Sequence, residues 1–116
     1  MKKPVVYRNG GDTQFSNWTD VAAPIGDLVS QTRTANDARM DEEGVAFGIW
    51  ECSRGVWRRQ VTKREFSHIL AGHCFFTPEG QSAVELRAGD SVYFPANCSG
   101  TWDVREDIRK SYLIID

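Results

Sequence analysis

Three polar residues that could hold a small charged molecule lie close together in the sequence: Arg58, Gln60 and Glu65. An arginine offers a planar fork of N–H donors to a carboxylate or phosphate, and a glutamine amide both donates and accepts hydrogen bonds. If these side chains face one interior, they form a pocket with one cation, one amide and one carboxylate. The sequence therefore predicts a site for a small polar, anionic metabolite, with Tyr93 and Trp102 as apolar walls.

The elements that must position these side chains are short strands. From Gly44 onward, aromatic and β-branched stretches are separated by turns rich in glycine, proline and aspartate, as in sandwiches and barrels. No stretch has the 3.6-residue apolar period of a helix. The chain from residue 44 to residue 116 is therefore predicted to be an antiparallel β-barrel, with strands at residues 45–52, 56–61, 66–70, 74–77, 83–86, 91–94, 100–104 and 111–115.

Residues 1–43 have a different composition, with several glycine, asparagine and proline residues and few apolar runs. They predict an irregular N-terminal arm that packs on the barrel or on a dimer partner, anchored by Phe15 and Trp18. Within this arm, residues 29–34 alternate weakly and predict one strand. Residues 34–43 predict a surface loop or one turn of helix.

Bulk composition limits the classes of partner. The chain has 116 residues, the length of one domain, and a formal net charge of −2, which argues against a nucleic-acid or anionic-membrane binder. No apolar run approaches the roughly 18 residues of a membrane helix, and no apolar segment follows the N-terminal lysines. A cytoplasmic location is therefore predicted. The three cysteines show no CxxC spacing, so we expect them to be reduced.

A series of spaced motifs resembles a known family. These motifs are Gly48-Ile-Trp-Glu-Cys, Glu65, Gly72, Gly89-Asp, Pro95, Gly100-Thr-Trp-Asp-Val, Arg109-Lys and Tyr112. In order and spacing they resemble the small single-domain cupins related to ureidoglycine aminohydrolase and to the ethanolamine-utilisation cupins. The resemblance covers residues 44–116 and implies an all-β, RmlC-like jelly-roll barrel. Because cupins commonly pair, it also implies a homodimer.

The metal ligands of the general cupin pattern are three histidines and one glutamate in the barrel mouth. In this chain the glutamate position is Glu65, and we expect no cofactor, since any divalent metal would bind only weakly through this one carboxylate. Other residues occupy the histidine positions. If four residues separate the second histidine position from Glu65, the first two positions are Arg58 and Gln60; if three residues separate them, the positions are Arg59 and Val61. The third histidine position is Gly100.

Several interpretations stay open at this stage. The resemblance implies, as an alternative to simple binding, a metal-dependent enzyme that acts on a small nitrogenous metabolite, with Glu65 as metal ligand or general base. Arg58 and Glu65 could instead form an ion pair without any ligand, or the mouth could be plugged by Trp57 or Tyr93 in a scaffold protein. Strand alternation directs His68 away from the face of Glu65. Arg109 and Lys110 are interpreted as structural.

Overall fold

The computed structural model describes residues 2–116 and contains nine antiparallel strands that form one curled sheet. A single 3₁₀ turn covers Asp41–Glu43. No helix among the described residues has the length and apolarity needed to cross a membrane. The strands are β1 (Thr19–Asp20), β2 (Pro24–Ile25), β3 (Gln31–Met40), β4 (Val45–Cys52), β5 (Gly55–Arg59), β6 (Arg64–Pro78), β7 (Val84–Arg87), β8 (Ser91–Phe94) and β9 (Gly100–Ile115).

Strand β9 is the centre of the sheet. It pairs with β6 along one edge, and with β5 and then β4 along the other. The sequence predicted two strands here because the charged residues between Val104 and Ile108 resemble a turn. They are instead an exposed stretch of one continuous strand, whose even-numbered positions from Gly100 to Tyr112 are buried except for Glu106.

Strand β6 also joins two predicted strands into one, and Gly72 lies where they meet. The register with β9 shifts around Gly72, which has a φ of +97°. The inward side chains therefore change from Glu65 and Ile69 before the irregularity to Cys74 and Phe76 after it. In a regular strand, either the odd-numbered or the even-numbered side chains face inward along its whole length. The irregularity exchanges them, so one long strand contributes inward side chains at both ends of the curled sheet.

The substitution Gly72→Ala is expected to destabilise the protein by at least about 2 kcal/mol, since a positive φ strains an L-residue. A Cβ at this position would also lie 2.2 Å from the carbonyl oxygen of Asp107. Gly80→Ala is the matched control, because Gly80 has a φ of +75° and open space around it. Urea denaturation should show the larger loss for Gly72→Ala; equal losses would mean that the contact with Asp107 contributes nothing.

Strand β3 corrects the prediction of a loop at residues 34–40. It pairs with β4 from Thr32 to Met40, and its register shifts between Ala35 and Ala38, where Asn36 has a φ of +54°. Its polar sequence lacks the alternation of a strand, and the backbone ladder to β4 determines its conformation. The 3₁₀ turn covers only the last three residues of the segment predicted as a loop or one turn of helix. The division of the chain at residue 43 stays a prediction, although β3 is a strand of the sheet.

The segment before β3 packs on the sheet through aromatic side chains. Tyr7 stacks on Phe47 with ring centroids 5.5 Å apart. The guanidinium carbon of Arg33 lies 4.3 Å from the ring centroids of both Phe15 and Trp18. Both predicted anchor residues therefore pack against the same arginine of β3. Met1 lies outside the described residues.

The core fills the space enclosed by β5, β6 and β9, and its aromatic centre is formed by Trp102, Phe76 and Phe94. The three cysteines of the described chain are free, and Cys52 and Cys74 lie in this core. Burial raises the pKa of Cys52 to about 11 and that of Cys74 to about 12, so both remain protonated thiols at neutral pH.

Candidate functional site

The polar centre of the barrel is the carboxylate of Glu65 on β6, which is 2% exposed. Its Oε2 accepts hydrogen bonds from Lys110 Nζ of β9 at 2.6 Å and from Ser67 Oγ at 2.8 Å. Its Oε1 accepts one from Arg59 Nη2 of β5 at 2.9 Å. One buried carboxylate thus joins two cations that come from two other strands.

Strand geometry explains why these side chains converge. Glu65 and Ser67 share the inward face of β6, because side chains two apart in a strand point to the same side. Lys110 is inward for the same reason, since it lies between the buried residues Ile108 and Tyr112. The pairing of β9 with β6 then brings the lysine next to the carboxylate.

The ammonium of Lys110 lies within a cage of three aromatic rings. Its Nζ is 4.7 Å from the ring centroid of Trp50, 5.4 Å from that of Trp102 and 5.5 Å from that of Phe94. Aromatic faces attract a cation, and the attraction increases when water is excluded. At 1% exposure, Lys110 is therefore a buried cation that depends on Glu65 and these rings for its stabilisation.

Burial and charge together shift the pKa of both partners. Burial alone would raise the pKa of Glu65, but the charges of Lys110 and Arg59, with the hydrogen bonds from Lys110 and Ser67, outweigh it and lower the pKa to about 2. Burial lowers the pKa of Lys110 to about 8, and repulsion by Arg59 adds to the shift while Glu65 opposes it. The carboxylate is therefore ionised at neutral pH, and Lys110 loses its proton more readily than an exposed lysine.

A cavity of about 150 Å³ opens beside this cluster. The Tyr112 hydroxyl at its wall donates a hydrogen bond to Asp37 Oδ1 at 2.5 Å. Arg59 uses one terminal nitrogen for Glu65, while its Nη1 is buried and has no hydrogen-bond partner within residues 2–116. Arg59 therefore lines the cavity and carries a buried donor that the described part of the fold leaves unsatisfied. It is lined by Thr34, Trp50, Arg59, Glu65, Lys110, Tyr112 and Ile114.

The structure settles which residues of β5 and the following loop face inward. Val61 is buried and Arg59 reaches Glu65, whereas the Arg58 side chain is 49% exposed and lies 3.8 Å from Glu79. Three residues therefore separate Val61, which faces inward, from Glu65, and Arg58 faces outward by strand alternation. Gln60 is exposed but lines a second cavity together with Arg59 and Glu65.

The two predicted apolar walls lie elsewhere. Tyr93 is 54% exposed and pairs with Phe66 on the outer face of the sheet, so it does not plug the interior. Trp102 is 1% exposed and belongs to the core. Its ring centroid lies 5.4 Å from Lys110 Nζ, but the residue does not line the cavity. His68 hydrogen-bonds to Ser91 in an exposed position, so its predicted outward direction is confirmed.

The sequence prediction missed the role of Lys110, Tyr112 and Thr34 in the cavity. For Lys110 a signal was present, because Ile108, Lys110 and Tyr112 alternate at the period of a strand with apolar neighbours. A lysine at such an inward position requires a partner. For Thr34 no signal exists, since only the pairing of β3 with β4 brings this residue to the mouth of the barrel.

The residues around Glu65 do not fit a divalent metal. Both carboxylate oxygens already bind cationic donors, and Arg59 and Lys110 would repel a metal ion placed beside them. Among residues 2–116, no three side chains of histidine, cysteine, aspartate or glutamate converge as a metal-binding group. Lys110 and Arg59 already balance the negative charge of Glu65.

A curled antiparallel barrel with a glutamate aimed into its interior is the architecture that the sequence resemblance implied. The sequence pattern of the EutQ-like cupin domain matches residues 40–112, which is more than half of the chain. The chain therefore belongs to the EutQ-like cupin domain family. No curated protein matches the sequence significantly.

Solved structures support the same fold. The EutQ protein of Clostridium difficile is similar with a TM-score of 0.64 and 17% identity, over 74% of this chain and 68% of that one. A putative ethanolamine utilization protein of Salmonella typhimurium has a TM-score of 0.63 and 17% identity, over 90% and 98% of the two chains. A Pseudomonas syringae protein of unknown function has a TM-score of 0.74 and 19% identity, over 88% of this chain but only 43% of its own.

Proposed function

We propose that the cavity beside Glu65 binds a small organic carboxylate. The observation that carries this proposal is that the cavity is lined by Arg59, whose buried Nη1 has no hydrogen-bond partner within residues 2–116. A buried donor without a partner costs about 1–3 kcal/mol, so an anion that accepts its hydrogen bond would recover that free energy. The planar fork of arginine suits a carboxylate in particular.

The charge of the cavity supports the same proposal. Of the lining side chains, Arg59 and Lys110 carry positive charge and Glu65 carries negative charge, which leaves an excess of one positive charge. Asp37 lies behind Tyr112 and does not line the cavity. A single anion entering the cavity would therefore be attracted, whereas a cation would be repelled.

The size of the cavity limits the ligand. A volume of about 150 Å³ corresponds to about five water molecules at the volume each takes in the liquid. Trp50 and Ile114 supply apolar wall, and the Thr34 side chain supplies a hydroxyl. A carboxylate with a short, partly apolar body therefore fits better than a sugar or a nucleotide.

Arg59 and Arg58 form a matched pair for testing this proposal, because they are adjacent on β5 but face opposite sides. Calorimetric titration with acetate, propanoate, lactate and pyruvate should show binding to the wild type. Arg59→Gln should weaken it at least about tenfold, the value of a charge-assisted hydrogen bond, and Arg58→Gln should leave it within about twofold. Arg59→Lys, which keeps the charge but loses the fork, should lie between them.

Circular dichroism of each variant separates loss of binding from loss of fold. Equal weakening by Arg58→Gln would contradict the proposal, as would wild-type affinity in a folded Arg59→Gln protein. Absence of binding by all four carboxylates at millimolar concentration would overturn it.

The homodimer and the cytoplasmic location stay predictions. Phe66 and Tyr93 pair across β6 and β8 on the outer face, and both are exposed in the single chain.

A further inference from the structure

The geometry points to Lys110 as a covalent site: we propose that its Nζ condenses with the carbonyl group of a 2-oxo carboxylic acid held by Arg59, forming an imine. This inference rests on the proposed carboxylate site and names its ligand class. The two functional groups of a 2-oxo acid are adjacent, as are the two cationic groups of the cavity. Arg59 and Lys110 bind opposite oxygens of the one Glu65 carboxylate, at 2.9 and 2.6 Å.

Lys110 has the surroundings that a nucleophilic amine needs. Lys110 is one of the residues that line the cavity, and the rings of Trp50, Trp102 and Phe94 surround its Nζ at 4.7–5.5 Å. Burial also favours its neutral form, with a pKa of about 8, and only an unprotonated amine can attack a carbonyl carbon.

Glu65 is placed to move the protons of the reaction. The Nζ lone pair of neutral Lys110 attacks the carbonyl carbon, so that a C–N bond forms and the π bond of the carbonyl group breaks. The first Nζ proton passes through Glu65 to the carbonyl oxygen, which becomes a hydroxyl. The second Nζ proton passes to Glu65 at 2.6 Å and then to the hydroxyl, which leaves as water as the C=N bond forms. Deprotonation of Lys110 removes one of the two cations that hold the pKa of Glu65 low, which makes the carboxylate a better proton acceptor at that moment.

Reductive trapping tests the inference on the intact protein. The wild type is incubated with pyruvate and sodium borohydride, which reduces an imine to a stable amine, and the modified lysine is located by peptide mass spectrometry. We expect the mass of one reduced pyruvyl group on Lys110, and loss of at least nine-tenths of it in Lys110→Arg. Lys63 is the internal control, because its Nζ is also 2.6 Å from a carboxylate, that of Asp116, but is solvent-exposed.

The outcomes separate this inference from the proposed function. Lactate has the carboxylate of pyruvate without its carbonyl group, so it should bind but leave no adduct. Arg59-dependent binding of both acids with no adduct on Lys110, or with equal modification of Lys63 and Lys110, would overturn the imine and leave the carboxylate site standing. Failure of pyruvate to bind while another of the four carboxylates binds would overturn the imine alone, and absence of binding by all four would overturn both. Because the adduct is located in the wild type, the test does not depend on the folding of Lys110→Arg.

Discussion

Replacing Glu65 with alanine is expected to lower the free energy of unfolding by about 3–5 kcal/mol, the usual loss when one partner of a buried ion pair is removed. Glu65 and Lys110 are both almost completely buried, so Lys110 would either stay charged among aromatic rings without its counter-ion or lose its proton. Arg59, at the rim, would lose its partner as well. Urea denaturation followed by tryptophan fluorescence measures the loss.

The double variant Glu65→Leu/Lys110→Met distinguishes two causes of lost stability: the missing attraction between the two side chains, and a buried charge left without its partner. Apolar replacements of a buried ion pair are often neutral, so the double variant should lie within about 2 kcal/mol of the wild type. Arg59 keeps some solvent exposure and can be hydrated in that variant. If the double variant is as unstable as Glu65→Ala, the uncompensated charge is not the cause of the loss.

The pH dependence of stability gives an independent check on Glu65. Its pKa is lowered on folding from 4.5 to about 2, so its ionised form contributes stability above pH 4.5 that is lost as pH falls toward 2. The wild type should therefore lose more stability than Glu65→Ala between these pH values. Parallel losses in the two proteins would contradict a lowered pKa for this carboxyl group.

Trp102→Ala is the second variant expected to have a large effect, with a loss of about 3–5 kcal/mol, as for other large aromatic residues truncated in a core. Trp102 contacts Phe76 and Phe94 with ring centroids 4.9 and 5.9 Å apart, and it forms one face of the cage around Lys110. Its removal would leave a cavity next to a buried charge. Thermal unfolding and urea denaturation both measure the effect.

Tyr93→Ala serves as the control for Trp102→Ala, since both residues were predicted as pocket walls. Tyr93 is exposed and contributes one cross-strand aromatic pair, so its truncation should cost at most about 1 kcal/mol. Trp102→Phe keeps a ring in the core and should cost less than Trp102→Ala. Similar losses in Trp102→Ala and Tyr93→Ala would contradict the assignment of Trp102 to the core.

The sequence determined the class of fold and the position of its central carboxylate. Turn residues at short intervals and strand-like alternation predict an antiparallel barrel, because both signals are local and depend on neighbouring residues only. The alternation within β6 also predicted that Glu65 and His68 face opposite sides. Local patterns did not reveal that residues 66–77 and 100–115 each form part of one bent strand, because bulges and charged stretches resemble turns.

The tertiary structure decided which partners Glu65 meets. The sequence was consistent with either three or four residues between the second histidine position and Glu65. A difference of one residue exchanges the inward and outward faces of a strand. Pairing of β5 with β9 resolved this choice in favour of Arg59, and pairing of β9 with β6 brought Lys110 from 45 positions away to the same carboxylate. Contacts between distant strands depend on register across the whole sheet, so no local pattern could specify this cluster or the cavity beside it.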